Sequence, residues 1–135
     1  MKNKYTIYTD GSCLDNPGVG GWAFYILQND EVKENDSGAD VDTTNNRMEI
    51  TAILNALKRT PENSEIDLYS DSNYALNVCF GTWKRNLNND LLEEIDKLKE
   101  TRIITSHWVK GHDKNKYNNM CDEDARTQAE KLKKV

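Results

Sequence analysis

The chain has 135 residues, 36% hydrophobic and 30% charged, with seven glycines and two prolines; this excludes a disordered or fibrous chain and predicts one domain with its own core across residues 1–135. No apolar run nears the ~20 residues a membrane-spanning helix needs, the polar first ten residues do not read as a signal peptide, and Cys13, Cys79 and Cys121 are too scattered for a zinc site, so reduced thiols in the cytoplasm are expected. The net charge of −5 argues against a phosphate-rich partner, unless carboxylates hold divalent cations that invert the local field.

Lys4 to Asp10 alternates, with Tyr5, Ile7 and Thr9 opposed to Thr6, Tyr8 and Asp10, which predicts a strand. Gly11 to Gly21 holds four glycines and Asn16-Pro17, and predicts a loop. Trp22 to Leu27 is a second strand; the mostly polar Glu31 to Val41 is a third, at a sheet edge. Met48 to Arg59 is helical, because Ile50, Ile53, Leu54 and Leu57 recur at helical spacing. Pro61 closes it by restricting Thr60.

Glu65 to Asp71 alternates again, and a short helix follows from Asn73. Asp90 to Glu100 is a helix with Leu91, Leu92, Ile95 and Leu98 inward and Asp90-x-x-Glu93 as its start. Ile103 to Val109 is a fifth strand, in which His107 reads as packing or surface. Asn119 to Lys134 is a last helix, with Cys121, Ala125, Ala129 and Leu132 on one stripe. Three strands with short links predict an antiparallel meander, and strands separated by helices predict parallel crossovers. The fold class is α/β: a five-stranded mixed sheet flanked by helices.

Two strands end on an aspartate before a loop signal, at Thr9-Asp10-Gly11 and Ser70-Asp71-Ser72. Function in α/β sheets gathers at the carboxyl ends of parallel strands. If these strands are parallel neighbours, ~4.8 Å apart, Asp10 and Asp71 sit side by side and call for a cation between them. Each aspartate alone also reads as a turn residue. Glu49 sits in the first turn of the long helix, where Asn46-x-x-Glu49 equally reads as a capping box. Asp122 opens the last helix, where an acid also compensates the dipole. His112, in a polar loop hinged by Gly111, is a group that titrates near neutrality.

Taken together, Tyr8-Thr9-Asp10-Gly11-Ser12-Cys13 with Asn16-Pro17-Gly18, Thr44-Asn45-Asn46-Arg47-Met48-Glu49, Tyr69-Ser70-Asp71-Ser72, Trp108-Val109-Lys110-Gly111-His112 and Cys121-Asp122-Glu123 resemble type 1 ribonuclease H. The five blocks run in order along nearly the whole chain. The resemblance implies the ribonuclease H-like fold and endonucleolytic cleavage of the RNA strand of an RNA–DNA hybrid. It implies that Asp10, Glu49, Asp71 and Asp122 hold two Mg²⁺, with Mn²⁺ as a substitute; oxygen ligands suit such hard cations. Two ions about 3.5–4 Å apart clamp the attacking and leaving oxygens, which implies 5′-phosphate and 3′-hydroxyl products. It gives His112 the part of a proton shuttle or an aid to product release.

The same resemblance places Asn16, Asn45 and Asn46 in the minor groove beside the RNA strand. Amides donate and accept, so they suit the 2′-hydroxyl that separates RNA from DNA; they also serve as turn and cap residues. Thr44 matches a position that contacts a DNA phosphate. Three departures stand out. Asp42 replaces a residue that is often basic. Asn73 replaces an often longer Gln at a minor-groove contact. The basic protrusion of many bacterial members is shortened or lost, as in retroviral versions. Trp83, beside Lys84 and Arg85, is the best remaining DNA contact through stacking next to two cations, or else a partly buried anchor of a helix end.

Acidic charge and a missing protrusion predict weak hybrid binding at moderate salt. Lys131, Lys133 and Lys134 read as a helix C-terminus rather than a binding patch. A monomer is expected, without a separate hybrid-binding domain ahead of the first strand, so an accessory protein would have to supply extra affinity. Two rival functions are a DNA nuclease or integrase-like enzyme on the same fold, and a non-catalytic nucleic-acid-binding module.

Overall fold

The computed structural model describes residues 3–110 and 115–134. The elements in chain order are β1 (Lys4–Cys13), β2 (Gly18–Gln28), β3 (Glu31–Thr43), α1 (Asn45–Lys58), β4 (Glu65–Ser70), α2 (Asn73–Cys79), α3 (Asn89–Lys99), β5 (Ile103–Trp108) and α4 (Lys116–Lys133). They build one five-stranded sheet in the order β3-β2-β1-β4-β5. β2 pairs antiparallel with β1 and β3, while β4 runs parallel to β1 and β5. The meander, the crossovers and the edge position of β3 are as the sequence leads one to expect.

The alternation along each strand sorts two faces. Ile7, Phe24, Ile26 and Leu68 pack with α1, α2 and α3 in the main core, where Ile50, Ile53, Leu92 and Ile95 are fully buried. Ala23, Tyr25 and Leu27 pack on the other face against Cys121 and Ala125 of α4. α4 covers β1, β2 and β3. No described helix is long and apolar enough to cross a membrane, and the three cysteines are free.

Three sequence readings need correction, besides the start of the last helix, which lies at Lys116 behind Asn115 rather than at Asn119, so that Asp122 falls in its second turn and does not open it. The glycine-rich stretch 11–21 is mostly strand: Gly11 pairs with Trp22, Ser12 with Gly21 and Cys13 with Gly20. The turn itself is confined to residues 14–17, around a cis Asn16–Pro17 bond. The glycines serve close approach more than turning; a Cβ on Gly21 would lie 2.0 Å from the Ala125 carbonyl oxygen of α4.

The second correction concerns α1, which starts at Asn45 with Thr44 as its cap, the Thr44 hydroxyl accepting from the Arg47 amide at 3.2 Å. Asn46 is therefore not the cap, and Glu49 lies in the second turn, free for other work. The third concerns α3. Its cap is Asn88 in the left-handed region, at φ 64°, with no side-chain capping bond, a conformation Asn tolerates better than most residues. Asp90 pairs with Arg47 instead of opening a capping box with Glu93.

Candidate active site

β1 and β4 run parallel and in register as far as Tyr8 and Tyr69. Two residues further on come Asp10, still within β1, and Asp71, just past the end of β4. α1 crosses behind this end and delivers Glu49. One carboxylate oxygen from each of Asp10, Glu49 and Asp71 lies within 4.8 Å of the others. Asp10 is 3% exposed and Glu49 is 8% exposed.

Such crowding is costly for charged carboxylates. Burial, followed by the charges of Asp71 and Asp122, pushes the Asp10 pKa up to about 8. Burial and the neighbouring Asp10 raise Glu49 well above the usual carboxylate range. The backbone opposes this in one place: the Gly11 amide donates to Glu49 Oε1 at 2.5 Å. Asp71 is framed from β5, where the Trp108 indole donates to its backbone carbonyl at 3.1 Å.

Asp122 stands beside this trio. It comes from α4 and is close enough to Asp10 to share a hydrogen bond with it. Arg126, one turn further along α4, holds Asp122 Oδ2 at 3.2 Å. The residues present fit a hard divalent cation. All the donors are oxygens, and burial together with the neighbouring carboxylates raises Asp10 and Glu49, a penalty that a bound cation would offset. Mg²⁺ takes oxygen ligands at about 2.1 Å in an octahedron, so these carboxylates would draw closer together around a bound ion.

Beside the carboxylates runs a groove of about 580 Å³, lined among others by Asn16, Asp42, Thr44, Asn46, Arg47 and Asn88. The Asn16 side chain accepts from the Asn45 amide at 3.1 Å, tying the residue 14–17 turn to the start of α1. Asn16, Thr44, Asn45 and Asn46 thus share one rim, all exposed. Asn73 opens α2 nearby in sequence to Asp71, exposed, with its carbonyl accepting from Asn77.

Trp83 is 50% exposed, and its amide donates to the Asn77 carbonyl near the end of α2 at 3.4 Å, which fits both a face open for stacking and a partly buried anchor. Arg85 is not available beside it. Its Nε donates to the Val78 carbonyl at 2.8 Å, and both Nη atoms grip Asp96 at 2.5 and 2.9 Å. That side chain closes the end of α2 onto α3, leaving Lys84 as the exposed cation next to Trp83. His112 lies outside the described residues. His107 stacks on Tyr69 with ring centroids 4.5 Å apart and contacts Asp67 at 2.8 Å.

Sequence reasoning missed the Gly11 amide, because no pattern marks a backbone donor. It missed the Arg47–Asp90 pair, which joins two helices 43 residues apart. Arg126 was legible from its i+4 spacing to Asp122.

The RNase H family model matches residues 2–130. A ribonuclease H of Chlorobium luteolum is 43% identical over 145 aligned positions, covering 97% of this chain and 99% of the relative. A ribonuclease H of Campylobacter jejuni is 44% identical over 134 positions, covering 93% of this chain and 91% of the relative. Among solved structures, the N-terminal RNase H domain of a Mycobacterium tuberculosis protein, fused to maltose-binding protein, superposes with a TM-score of 0.85 at 22% identity, covering 98% of each chain. LC11-RNase H1 in complex with an RNA/DNA hybrid superposes with a TM-score of 0.78 at 20% identity, covering 95% of this chain and 98% of that one.

Proposed function

The chain belongs to the ribonuclease H family, and from that footing we propose that it cleaves the RNA strand of RNA–DNA hybrids endonucleolytically, as a single catalytic domain acting as a monomer. The observation that carries this reading is the convergence of Asp10, Glu49 and Asp71, from three separate elements, to within 4.8 Å in a largely buried pocket.

In this reading Asp10, Glu49, Asp71 and Asp122 hold two divalent ions, Mg²⁺ by preference and Mn²⁺ in substitution. When bound, the pair supplies activation of the attacking water and stabilisation of the departing 3′ oxygen, leaving 5′-phosphate and 3′-hydroxyl ends. The protein's own contribution is placement. The Gly11 amide fixes the Glu49 carboxylate, and the Trp108 indole fixes the turn that carries Asp71. Arg126 steadies Asp122. His112 serves as a proton shuttle or as an aid to product release.

Asn16, Asn45 and Asn46 read the 2′-hydroxyls of the RNA strand. Thr44 meets a DNA phosphate, Asn73 reaches the minor groove, and Trp83 stacks on the DNA strand. The hybrid bound by LC11-RNase H1 supports this choice of substrate. An accessory protein would raise an affinity that the acidic charge keeps low.

Three matched substrates test the reading: an RNA–DNA hybrid, duplex DNA and duplex RNA, each with both strands labelled. Cleavage confined to the RNA strand of the hybrid is expected. Equal cleavage of duplex DNA would favour the integrase-like alternative, and hybrid binding without cleavage would favour a non-catalytic module.

A further inference from the structure

The groove beside the carboxylates has an unusual charge balance for a surface that meets a nucleic-acid strand. Of its lining residues, Arg47 is the cation and Asp42 the anion. Arg47 is already engaged. Its Nη1 and Nη2 donate to the two carboxylate oxygens of Asp90 at 3.0 and 2.6 Å, and Nη1 also reaches the Asn88 side-chain oxygen at 3.3 Å. This is the bidentate geometry that a phosphate would otherwise take from a guanidinium. The Arg47 hydrogen bonds hold the Asp90 carboxyl down at about 2, so it stays charged at any working pH. Of the five guanidinium N–H groups, only Nε–H and one on Nη2 remain uncommitted.

We propose that Asp90 limits the grip on the DNA strand by holding Arg47, the cation of the groove, in a bidentate pair that an incoming phosphate must share or displace. The proposal rests on the reading of Thr44, which lines this groove beside Arg47, as a contact to a DNA phosphate of the bound hybrid. The pair is exposed, with side-chain exposures of 34% for Arg47 and 63% for Asp90. An exposed pair of this kind contributes little to stability, so a phosphate can compete for it. The competition is electrostatic and reversible, and Asp90 acts on binding rather than on the bond-breaking step.

The test is equilibrium binding of a short RNA–DNA hybrid in EDTA, followed by fluorescence anisotropy across a salt series. Asp90→Asn is expected to bind about three- to tenfold tighter than wild type, from removal of one negative charge several ångströms from a phosphate. Its salt dependence is expected to steepen by about 0.9 in slope, for one added phosphate contact. Asp90→Ser, a residue suited to a helix start, is expected to do the same and guards against a folding artefact. In an Arg47→Gln background, adding Asp90→Asn is expected to change nothing.

Tightening that persists in the Arg47→Gln background would overturn the proposal, since general charge removal would then explain it. Unchanged or weaker binding by both Asp90 variants, with folded protein, would overturn it as well. Those results leave the proposed function intact so long as wild type binds and cuts the hybrid. Failure of wild type to bind any hybrid would remove both readings together.

Discussion

The amide of Gly11, which pairs with Trp22 between β1 and β2, donates to the carboxylate of Glu49 in the second turn of α1. A Cβ on Gly11 would lie 2.3 Å from the Glu49 nitrogen and 2.4 Å from the Met48 carbonyl carbon. Helix and strand meet there backbone to backbone, and the Glu49 carboxylate is held at the meeting point. Gly11→Ala therefore has to push α1 off the sheet. The expected cost is about 1–3 kcal/mol, the usual range for overpacking, with cleavage reduced at least tenfold. Urea unfolding and hybrid cleavage by the purified variant measure the two effects; wild-type values for both would show that the contact is slack.

The carboxylate cluster makes the metal-free protein sensitive to alkali. Asp10 has its folded pKa raised to about 8, against an ordinary value near ~3.9. Below the lower value both folded and unfolded states are protonated, and there is no penalty. As pH rises toward about 8 the unfolded chain releases this proton while the folded one retains it, so stability falls. In EDTA, Asp10→Asn is expected to raise the melting temperature at pH 7–8 and to leave it unchanged near pH 4. Saturating Mg²⁺ is expected to remove most of the difference by stabilising wild type. Melting curves at the two pH values, with and without Mg²⁺, are the check; a variant less stable than wild type at pH 8 in EDTA would show the acids are not crowded.

Trp83 and Arg85 are neighbours with different work. Trp83→Ala is expected to change stability by no more than about 0.5 kcal/mol, as for other exposed sites, while raising KM about fivefold or more through lost stacking. Arg85→Ala is expected to cost about 1–2 kcal/mol, since it loses a half-exposed charge pair and a bond to the Val78 carbonyl, with the salt dependence of binding unchanged. Unfolding curves and KM values for both variants separate them; the opposite pattern would place Arg85 on the substrate.

These two side chains also show where the sequence was legible. The carboxylates of Asp10, inside β1, and Asp71, just past β4, could be read from strand alternation, because period-two patterning fixes which way a strand residue points. The meander and the helical covering followed from element order. Arg85 was misread as a free cation because it lies between helices while Asp96, its partner, sits on α3, and no local spacing links them. The glycines at 18, 20 and 21 were misread as turn because a close helix–strand approach and a turn select the same residue. Glu49 was misplaced by two residues along the helix since Thr44 and Asn46 are both competent caps, and only the backbone decides between them.

Asp42 gives a direct test of the weak-binding reading. It is exposed and lines the groove that holds Thr44 and Asn46. Asp42→Lys is expected to lower KM for a hybrid about tenfold at moderate salt, with kcat little changed, and to steepen the salt dependence of binding by about 0.9 in slope. Steady-state kinetics at several salt concentrations measure both; an unchanged KM would mean the DNA strand passes elsewhere.

The convergence of four acids on a shared divalent site is tested most directly by Mg²⁺ titration calorimetry at pH 8, run in parallel on wild type, Asp10→Asn and Asp71→Asn. Wild type is expected to bind Mg²⁺ with release of protons, and hybrid cleavage by the same sample is expected to appear with the ion and vanish in EDTA, while each variant loses both the heat and the cleavage. Mg²⁺ binding of equal strength in all three proteins, or RNA-strand cleavage that survives EDTA, would contradict it.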